Sequence, residues 1–396
     1  MNDKQYMAKA IQLAKLASGH TSPNPLVGAV VVKDGCIIGE GWHHKAGTPH
    51  AEVHALTMAG SAAKGATLYV TLEPCAHYGK TPPCADLVVN SGISHVVIGS
   101  TDPNPLVAGK GISTIERAGI TVTNGVLEEE CLHLNEHFFT YIQKKRPFIT
   151  LKSAMSLDGK IATKTGKSQW ITNEFARRDG HVLRATHNAM LVGIGTILAD
   201  DPSLNCRINK GEFYSTIIDS TLLEPIIDEL PSVHQPDVII LDSQGRTPIT
   251  AKVFKQQNRT VHIFVGPNCS THRVEQLKQK AIVHKVPTQD GYLPLKSILS
   301  TLGALNYTSI LVEGGAAVMS SFVEEQLFDK IITYIGNILI GGAEAISALT
   351  GSGISELQDA PQLEYKDVEI IGNNIKFEAY LIGREGYLCS QESLKK

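Results

Sequence analysis

Between His50 and Cys84 the chain carries one imidazole, two thiols and a nearby carboxylate: His50-Ala51-Glu52, then Glu73-Pro74-Cys75, then Pro82-Pro83-Cys84. Imidazole and thiolate are donors that zinc takes readily, and three of them leave the fourth tetrahedral position open to water. Glu52 follows the His by two residues, too close in sequence for comfortable co-ligation. It fits better as a proton carrier beside water made acidic by the metal.

That chemistry suits hydrolytic loss of an amine from a nucleobase ring, where activated water attacks and a Glu moves the protons, as in zinc deaminases. Their usual signature closes with Cys-x-x-Cys, whereas eight residues separate Cys75 from Cys84. The longer spacing removes support for a cytidine deaminase but not for the metal, since a Pro/Gly-rich loop can bring the thiolates together. Two plainer readings compete. A structural zinc would draw a fourth ligand from His43, His44, His54 or His77, and two free cysteines beside a capping His would need no metal.

These residues must be held by ordered elements. Residues 5–18 place Tyr6, Ala10, Leu13, Ala14 and Ala17 on one helical face. A strand over Leu26–Val32 turns through Asp34-Gly35 into Cys36–Gly39 as a hairpin. His50 opens a helix running to about Gly60, with Glu52 in its first turn. A strand over Ala66–Leu72 delivers Cys75, Cys84 begins a short helix closed by Gly92, and His95–Gly99 and Ile120–Val122 read as strands. A new alternation starts at Phe148. Strands are expected at 148–154, 188–194, 215–219, 237–242, 260–265, 282–286, 308–313 and 330–335, with helices at 174–186, 272–280 and 315–326. Such alternation implies a mainly parallel sheet covered on both faces.

The second half carries further motifs. Lys152-Ser153-Ala154 runs on to Gly159-Lys160, and Gly193-Ile194-Gly195-Thr196 leads to Asp200-Asp201-Pro202. Glu313-Gly314-Gly315 follows an apolar strand and opens a helix. Glycines at such a junction let backbone amides approach a phosphate, or simply make a tight turn. No Gly-x-Gly-x-x-Gly is present, so a standard dinucleotide fingerprint is not supported. Arg207 could hold a phosphate with its planar fork, or pair with Asp200 or Asp201.

At 396 residues two or three domains are expected. A composition of 42% hydrophobic and 19% charged residues is that of a soluble globular protein. The formal charge of −3 gives no footprint for nucleic acid or an anionic membrane. No apolar run approaches the roughly 18 residues of a membrane span. The polar N-terminus lacks a signal-peptide core, and seven scattered cysteines form no disulfide framework. A cytoplasmic protein is expected, acting on a small molecule as a homo-oligomer.

Taken together, the motifs resemble the bifunctional riboflavin-biosynthesis deaminase/reductase family from about residue 6 to residue 385. The first half resembles its pyrimidine deaminase through Pro23-Asn24-Pro25-x-Val27-Gly28, His50-Ala51-Glu52 and Glu73-Pro74-Cys75-x8-Cys84. The second resembles its reductase through Lys152–Lys160, Gly195-Thr196 to Pro202, Asp242-Ser243-x-x-Arg246-x-Pro248 and Glu313-Gly314-Gly315. The resemblance implies an α/β chain: a cytidine-deaminase-like three-layer domain over 1–146, a dihydrofolate-reductase-like domain over 147–386, and a flexible tail at 387–396. It implies zinc-dependent deamination of 2,5-diamino-6-ribosylamino-4(3H)-pyrimidinone 5′-phosphate, then NADPH-dependent reduction of the ribosyl chain to ribityl. His50, Cys75 and Cys84 would bind Zn2+, with Glu52 as proton shuttle, and Asn24, Lys80 and Asn104 would hold the pyrimidine nucleotide. In the reductase, Lys152, Ser168, Arg184, Leu204, Arg207 and Glu313 would contact substrate. Ala154, Trp170, Thr196, Asp200, Ser243 and Gly315 would line the NADPH site. Judged without the resemblance, Trp170 reads as a core aromatic and Arg184 as a helix-surface charge. Between Arg207 and Asp242 the chain inserts polar and acidic material, around Asn209–Gly211 and Glu224–Gln235, where the family has a shorter connection. Two other classes remain: a nucleoside or tRNA deaminase carrying an unrelated nucleotide-binding domain, and a non-enzymatic zinc-stabilised module.

Overall fold

In the computed structural model, which describes residues 1–76, 82–104, 108–289 and 291–383, Asn2 starts the first helix, α1 (Asp3–Lys15). Its side chain accepts from Gln5 N while Gln5 caps Asn2 in return, and Tyr6, Ala10, Leu13 and Ala14 are buried. The chain then gives β1 (Gly28–Lys33), β2 (Cys36–Trp42), α2 (Ala51–Ala59), β3 (Thr67–Leu72), α3 (Cys84–Asn90), β4 (His95–Ser100), α4 (Lys110–Arg117), β5 (Thr121–Asn124), α5 (Glu128–Leu134) and α6 (Glu136–Lys144). The five strands form one sheet, β2-β1-β3-β4-β5, antiparallel around β1 and parallel from β3 to β5. The expected hairpin is present: Asp34 and Gly35 both take positive φ, 51° and 77°, the backbone a two-residue turn requires.

The helix carrying Glu52 is seated by small residues. Ala51, Ala55 and Ala59 recur every fourth position and are buried, and β2 meets them with Gly39 and Gly41. A Cβ at Gly39 would stand 2.1 Å from Ala55 O, and one at Gly41 2.5 Å from Ala51 O. Only glycine lets helix and strand approach this closely.

The second half begins with β6 (Phe148–Ser156), β7 (Lys160–Ala162), α7 (Glu174–Thr186), β8 (Ala189–Gly193) and α8 (Ile194–Asp200). Next come α9 (Lys210–Ile217) and α10 (Ser220–Leu223), then β9 (Asp237–Leu241), β10 (Val261–Val265), α11 (Thr271–Lys278), β11 (Ile282–Lys285), α12 (Leu295–Ala304), β12 (Ser309–Val312), α13 (Ala316–Glu324), β13 (Lys330–Gly336), β14 (Ile346–Ser347), β15 (Leu363–Ile371) and β16 (Asn374–Leu381). The large sheet runs β11-β10-β9-β8-β12-β6-β13-β16-β15. It is parallel from β11 to β13, as the alternation predicts, and antiparallel where β16 and β15 are added.

Strands β15 and β16 were not expected, and two further features depart from expectation. The strand anticipated at 215–219 is not there, because Asn209 and Glu212 form a reciprocal capping box that starts α9. By packing, the described residues divide into Met1–Lys145 with Asn209–Val233, and Arg146–Ile208 with those from His234 to Gly383. The inserted segment therefore belongs with the first unit, not the second. Its Phe213 and Tyr214 are fully buried, and Asp219 N donates to Gln12 Oε1 of α1 at 3.1 Å. The tail at 387–396 lies outside the described residues. Among the described residues, no helix is long and apolar enough to cross a membrane.

Candidate active sites

In the first unit, β3 ends beside the start of α2, so Cys75 and His50 meet, and α3 adds Cys84 at its first residue. The ligand atoms of His50, Cys75 and Cys84 all lie within 4.8 Å of one another. His50 Nδ1 is 3.2 Å from Cys84 Sγ and 3.6 Å from Cys75 Sγ. Tetrahedral zinc with ordinary bond lengths would put such N and S atoms about 3.5 Å apart. The donor set therefore fits zinc in kind and in spacing. The Cys75 thiol is drawn down to about 4, foremost by the hydrogen bond from the Cys84 thiol and, against burial, by His50 and the Cys84 N–H. Cys84 is pushed up by donating that bond and by burial. The pairing favours the thiolate at Cys75, the form in which a cysteine binds a metal.

Glu52 is 3% exposed, and burial raises its carboxyl. Its Oε2 is buried without a hydrogen-bond partner. It faces a cavity of about 480 Å³ whose lining includes Asn24, His43, His50, Cys75 and Asn104. A carboxyl whose protonated form is favoured by burial is suited to carrying a proton.

Of the four histidines offered as a fourth ligand, three are engaged elsewhere. His43 bonds Pro49 O through Nδ1 and Asn24 Nδ2 through Nε2, each at 3.1 Å. His44 and His54 stack on each other at 4.5 Å. None of the three joins the ligand cluster. His77 and Lys80 lie outside the described residues.

In the second unit the candidates gather along the carboxyl ends of neighbouring parallel strands, where open α/β sheets bind ligands. Thr196 follows β8, Ser243 follows β9 and Gly315 follows β12, three adjacent strands. A Cβ on Gly315 would stand 3.6 Å from Thr196 Oγ1. Lys152 and Ala154 lie on β6, beside β12. Glu313 binds the Arg184 fork at 2.8 and 2.7 Å, with Lys152 Nζ 3.9 Å away. Burial alone would raise the Glu313 carboxyl, but Arg184 and Lys152 outweigh it and hold it at about 2. Arg184 is therefore a half-buried partner of Glu313 and not a free surface charge. Its Nη1 also donates to Asn205 O at 3.0 Å.

Arg207 is exposed and donates from Nη1 to Asn205 Oδ1 at 3.2 Å. It does not pair with Asp201, which takes Lys252 instead. Trp170 is 64% exposed, with the Arg177 guanidinium 4.3 Å from its ring, and so is not a core aromatic. Ser168 is half-buried and Asp200 exposed at the end of α8. The Leu204 side chain packs in the core, and its carbonyl accepts from Arg259.

Comparison with known proteins covers both halves. The model of the cytidine and deoxycytidylate deaminase zinc-binding region matches residues 1–100, and that of the RibD C-terminal domain matches residues 147–377. The riboflavin biosynthesis protein RibD of Aquifex aeolicus is 44% identical over 94% of this chain and 97% of its own length. The chain belongs to the RibD family. RibD of Escherichia coli (strain K12) is 40% identical over 95% of this chain and 98% of its own. Among solved structures, Acinetobacter baumannii RibD superposes with a TM-score of 0.80 at 38% identity, covering 96% of this chain and 98% of that one. A Thermotoga maritima diaminohydroxyphosphoribosylaminopyrimidine deaminase/5-amino-6-(5-phosphoribosylamino)uracil reductase does so at 0.78 and 37%, with the same coverage.

As a RibD protein the chain is a bifunctional deaminase and reductase of riboflavin biosynthesis, with a cytidine-deaminase-like first domain and a dihydrofolate-reductase-like second one. An unrelated second domain and a non-enzymatic zinc module are both set aside. Three polar residues beside these sites have contacts that the sequence did not reveal. His43 holds Asn24. His181 accepts from Arg207 N at 3.3 Å, and burial, then Arg184 and Arg207, pull its imidazole down to about 4. Its place one turn before Arg184 on α7 was a usable signal. Glu73 is the third, and only the folded loop reveals it.

Proposed function

We propose that the first unit deaminates 2,5-diamino-6-ribosylamino-4(3H)-pyrimidinone 5′-phosphate and that the second reduces the ribosyl chain of the product to ribityl with NADPH. The observation that carries the first half is the buried, unpartnered Oε2 of Glu52, in the cavity that also exposes His50 and Cys75. His50, Cys75 and Cys84 would hold zinc, which when bound supplies a nucleophile from water near neutral pH. Glu52 takes a proton and returns it to the departing amine, which must leave protonated. Asn24, its amide fixed by His43, and Asn104 hold the ring edge, and family likeness supports a role for Lys80 in the same contact.

In the second unit Thr196, Ser243 and Gly315 support a nicotinamide nucleotide along the strand ends, with Ala154, Trp170 and Asp200 at its borders. NADPH supplies the hydride when bound. Lys152 and Glu313 orient the ribosyl carbon, Arg184 keeps Glu313 in place, and Arg207 offers its remaining donors to the 5′-phosphate, beside Ser168 and Leu204. The exposed Tyr365, Val368 and Ile370 on outer strand β15 support a homo-oligomer. The unpaired cysteines among the described residues support a reducing, cytoplasmic setting. The test is to supply the phosphoribosyl diaminopyrimidine and follow ammonia release and NADPH oxidation. Both should proceed; absence of ammonia release with zinc-loaded, folded protein would refute the first half, and absence of NADPH oxidation when the deaminated product is supplied directly would refute the second.

A further inference from the structure

Glu73 stands two residues before Cys75, and it is 3% exposed. Its carboxylate accepts four backbone N–H groups from a segment far along the chain. Oε1 accepts from Gly111 at 2.9 Å and Ile112 at 3.3 Å; Oε2 accepts from Gly109 at 3.0 Å and Asp102 at 3.4 Å. Gly109, the N-cap of α4, has no side chain to satisfy the donors of the first turn. Glu73 does this from 36 residues away. The contact is close in a second way, because a Cβ on Gly111 would stand 2.0 Å from Pro74 O.

The same segment forms part of the cavity wall. Asp102, held through its N–H by Glu73, accepts Asn104 N on its own Oδ1 at 2.8 Å. Asp102 and Asn104 both line the cavity with Cys75 and Glu52. One side chain thus joins the backbone leading to Cys75 to the wall that carries Asn104. Each of its oxygens is used twice as an acceptor, which an amide cannot reproduce, since an NH2 would face two N–H donors.

We propose that Glu73 is a positioning residue of the deaminase site, setting the distance between the Cys75 segment and the Asp102–Asn104 wall so that Asn104 meets the pyrimidine. The inference rests on the proposed contact of Asn104 with substrate. The distance from Asn104 to the reacting ring governs binding in ground and transition state alike, so its loss appears in KM and not chiefly in kcat.

The test uses the full-length, zinc-loaded chain and the phosphoribosyl diaminopyrimidine, comparing Glu73→Gln, Asn104→Ala and the double variant. Glu73→Gln should raise the deaminase KM about 10- to 100-fold, the scale of a lost hydrogen bond to a charged group. Zinc content should be unchanged and kcat altered far less. Asn104→Ala should raise KM as well, and the double variant should add little to either, because the two act as one unit. A normal KM in Glu73→Gln, with a raised one in Asn104→Ala, overturns the inference alone. A normal KM in Asn104→Ala removes the substrate contact and the inference with it. Loss of zinc with collapse of kcat in Glu73→Gln also overturns it, by showing that Glu73 serves the metal ligands. Should Glu73→Gln fail to fold, Glu73→Asp carries the test, because it keeps two acceptor oxygens but draws them back by one carbon from the N–H groups of Asp102, Gly109, Gly111 and Ile112: the same KM rise with zinc retained supports the proposal, and an unchanged KM overturns it.

Discussion

Cys84 contributes its sulfur from the first residue of a helix, 3.2 Å from His50 Nδ1, and a zinc held by three side chains cannot lose one cheaply. Cys84→Ala should therefore lose both zinc and ammonia release; elemental analysis giving full occupancy in that variant contradicts the ligand set. Arg207 spends one donor on Asn205, and the proposed phosphate contact would use the rest of its planar fork. Arg207→Lys retains charge but not the fork, so the reductase KM should rise about tenfold, one lost hydrogen bond's worth, with kcat less affected. An unchanged KM assigns Arg207 to the Asn205 contact alone. His50 and Glu52 were legible in sequence because their spacing is local and their types are unusual together. Glu73 was not, because its partners at Asp102, Gly109, Gly111 and Ile112 become neighbours only in the fold. Arg184 was misjudged without family likeness for the same reason: its partner Glu313 is 129 residues away.

Helix α2 holds His50 and Glu52 only as well as β2 holds α2. Gly41→Ala would drive a methyl against Ala51 O, 2.5 Å from where its carbon must sit. Overpacking of this kind costs about 1–3 kcal/mol. We expect a lower Tm and weakened deamination with reduction intact; a Tm within error of the parent refutes the close seating. On β10 and β11, His262 Nδ1 meets His284 Nε2 at 2.9 Å, and His262 Nε2 meets Tyr307 OH at 2.9 Å. Burial lowers both imidazoles, joined at His262 by the neighbouring His284. Groups whose folded pKa is depressed favour the neutral state, so their stabilisation is full above the unfolded value near 6.5 and fades as pH falls below it. Urea unfolding should show stability declining below about pH 6.5, and His262→Phe should flatten that decline; an equal slope in the variant contradicts it. Elements with strong local signals, such as the Asp34-Gly35 hairpin and the apolar β6, β8 and β12, were readable directly. The segment at 215–219 was not, because Thr216-Ile217-Ile218 looks like a strand while the Asn209–Glu212 capping box makes the preceding residues helical. Strands β15 and β16 escaped notice because β15 is exposed along most of its length and shows no buried face.

At the scale of the whole chain, the residues proposed for the two chemistries fall in two different packing units. Glu52, His50, Cys75 and Cys84 lie within Met1–Lys145; Lys152, Arg184, Arg207 and Glu313 lie within Arg146–Ile208 or after His234. Deamination needs a proton carrier in the first unit. Reduction needs a cofactor and a held substrate in the second, and no proton carrier from the first. The decisive measurement is therefore a pair of assays on two variants, ammonia release from the diaminopyrimidine and NADPH oxidation with the deaminated product. Glu52→Gln should lose deamination by about 10²- to 10⁴-fold, the usual scale for a lost acid–base group, and reduce the deaminated product normally. Glu313→Gln should do the reverse. If either substitution abolished both activities in folded, zinc-loaded protein, the two sites would not be separate and the account would be wrong.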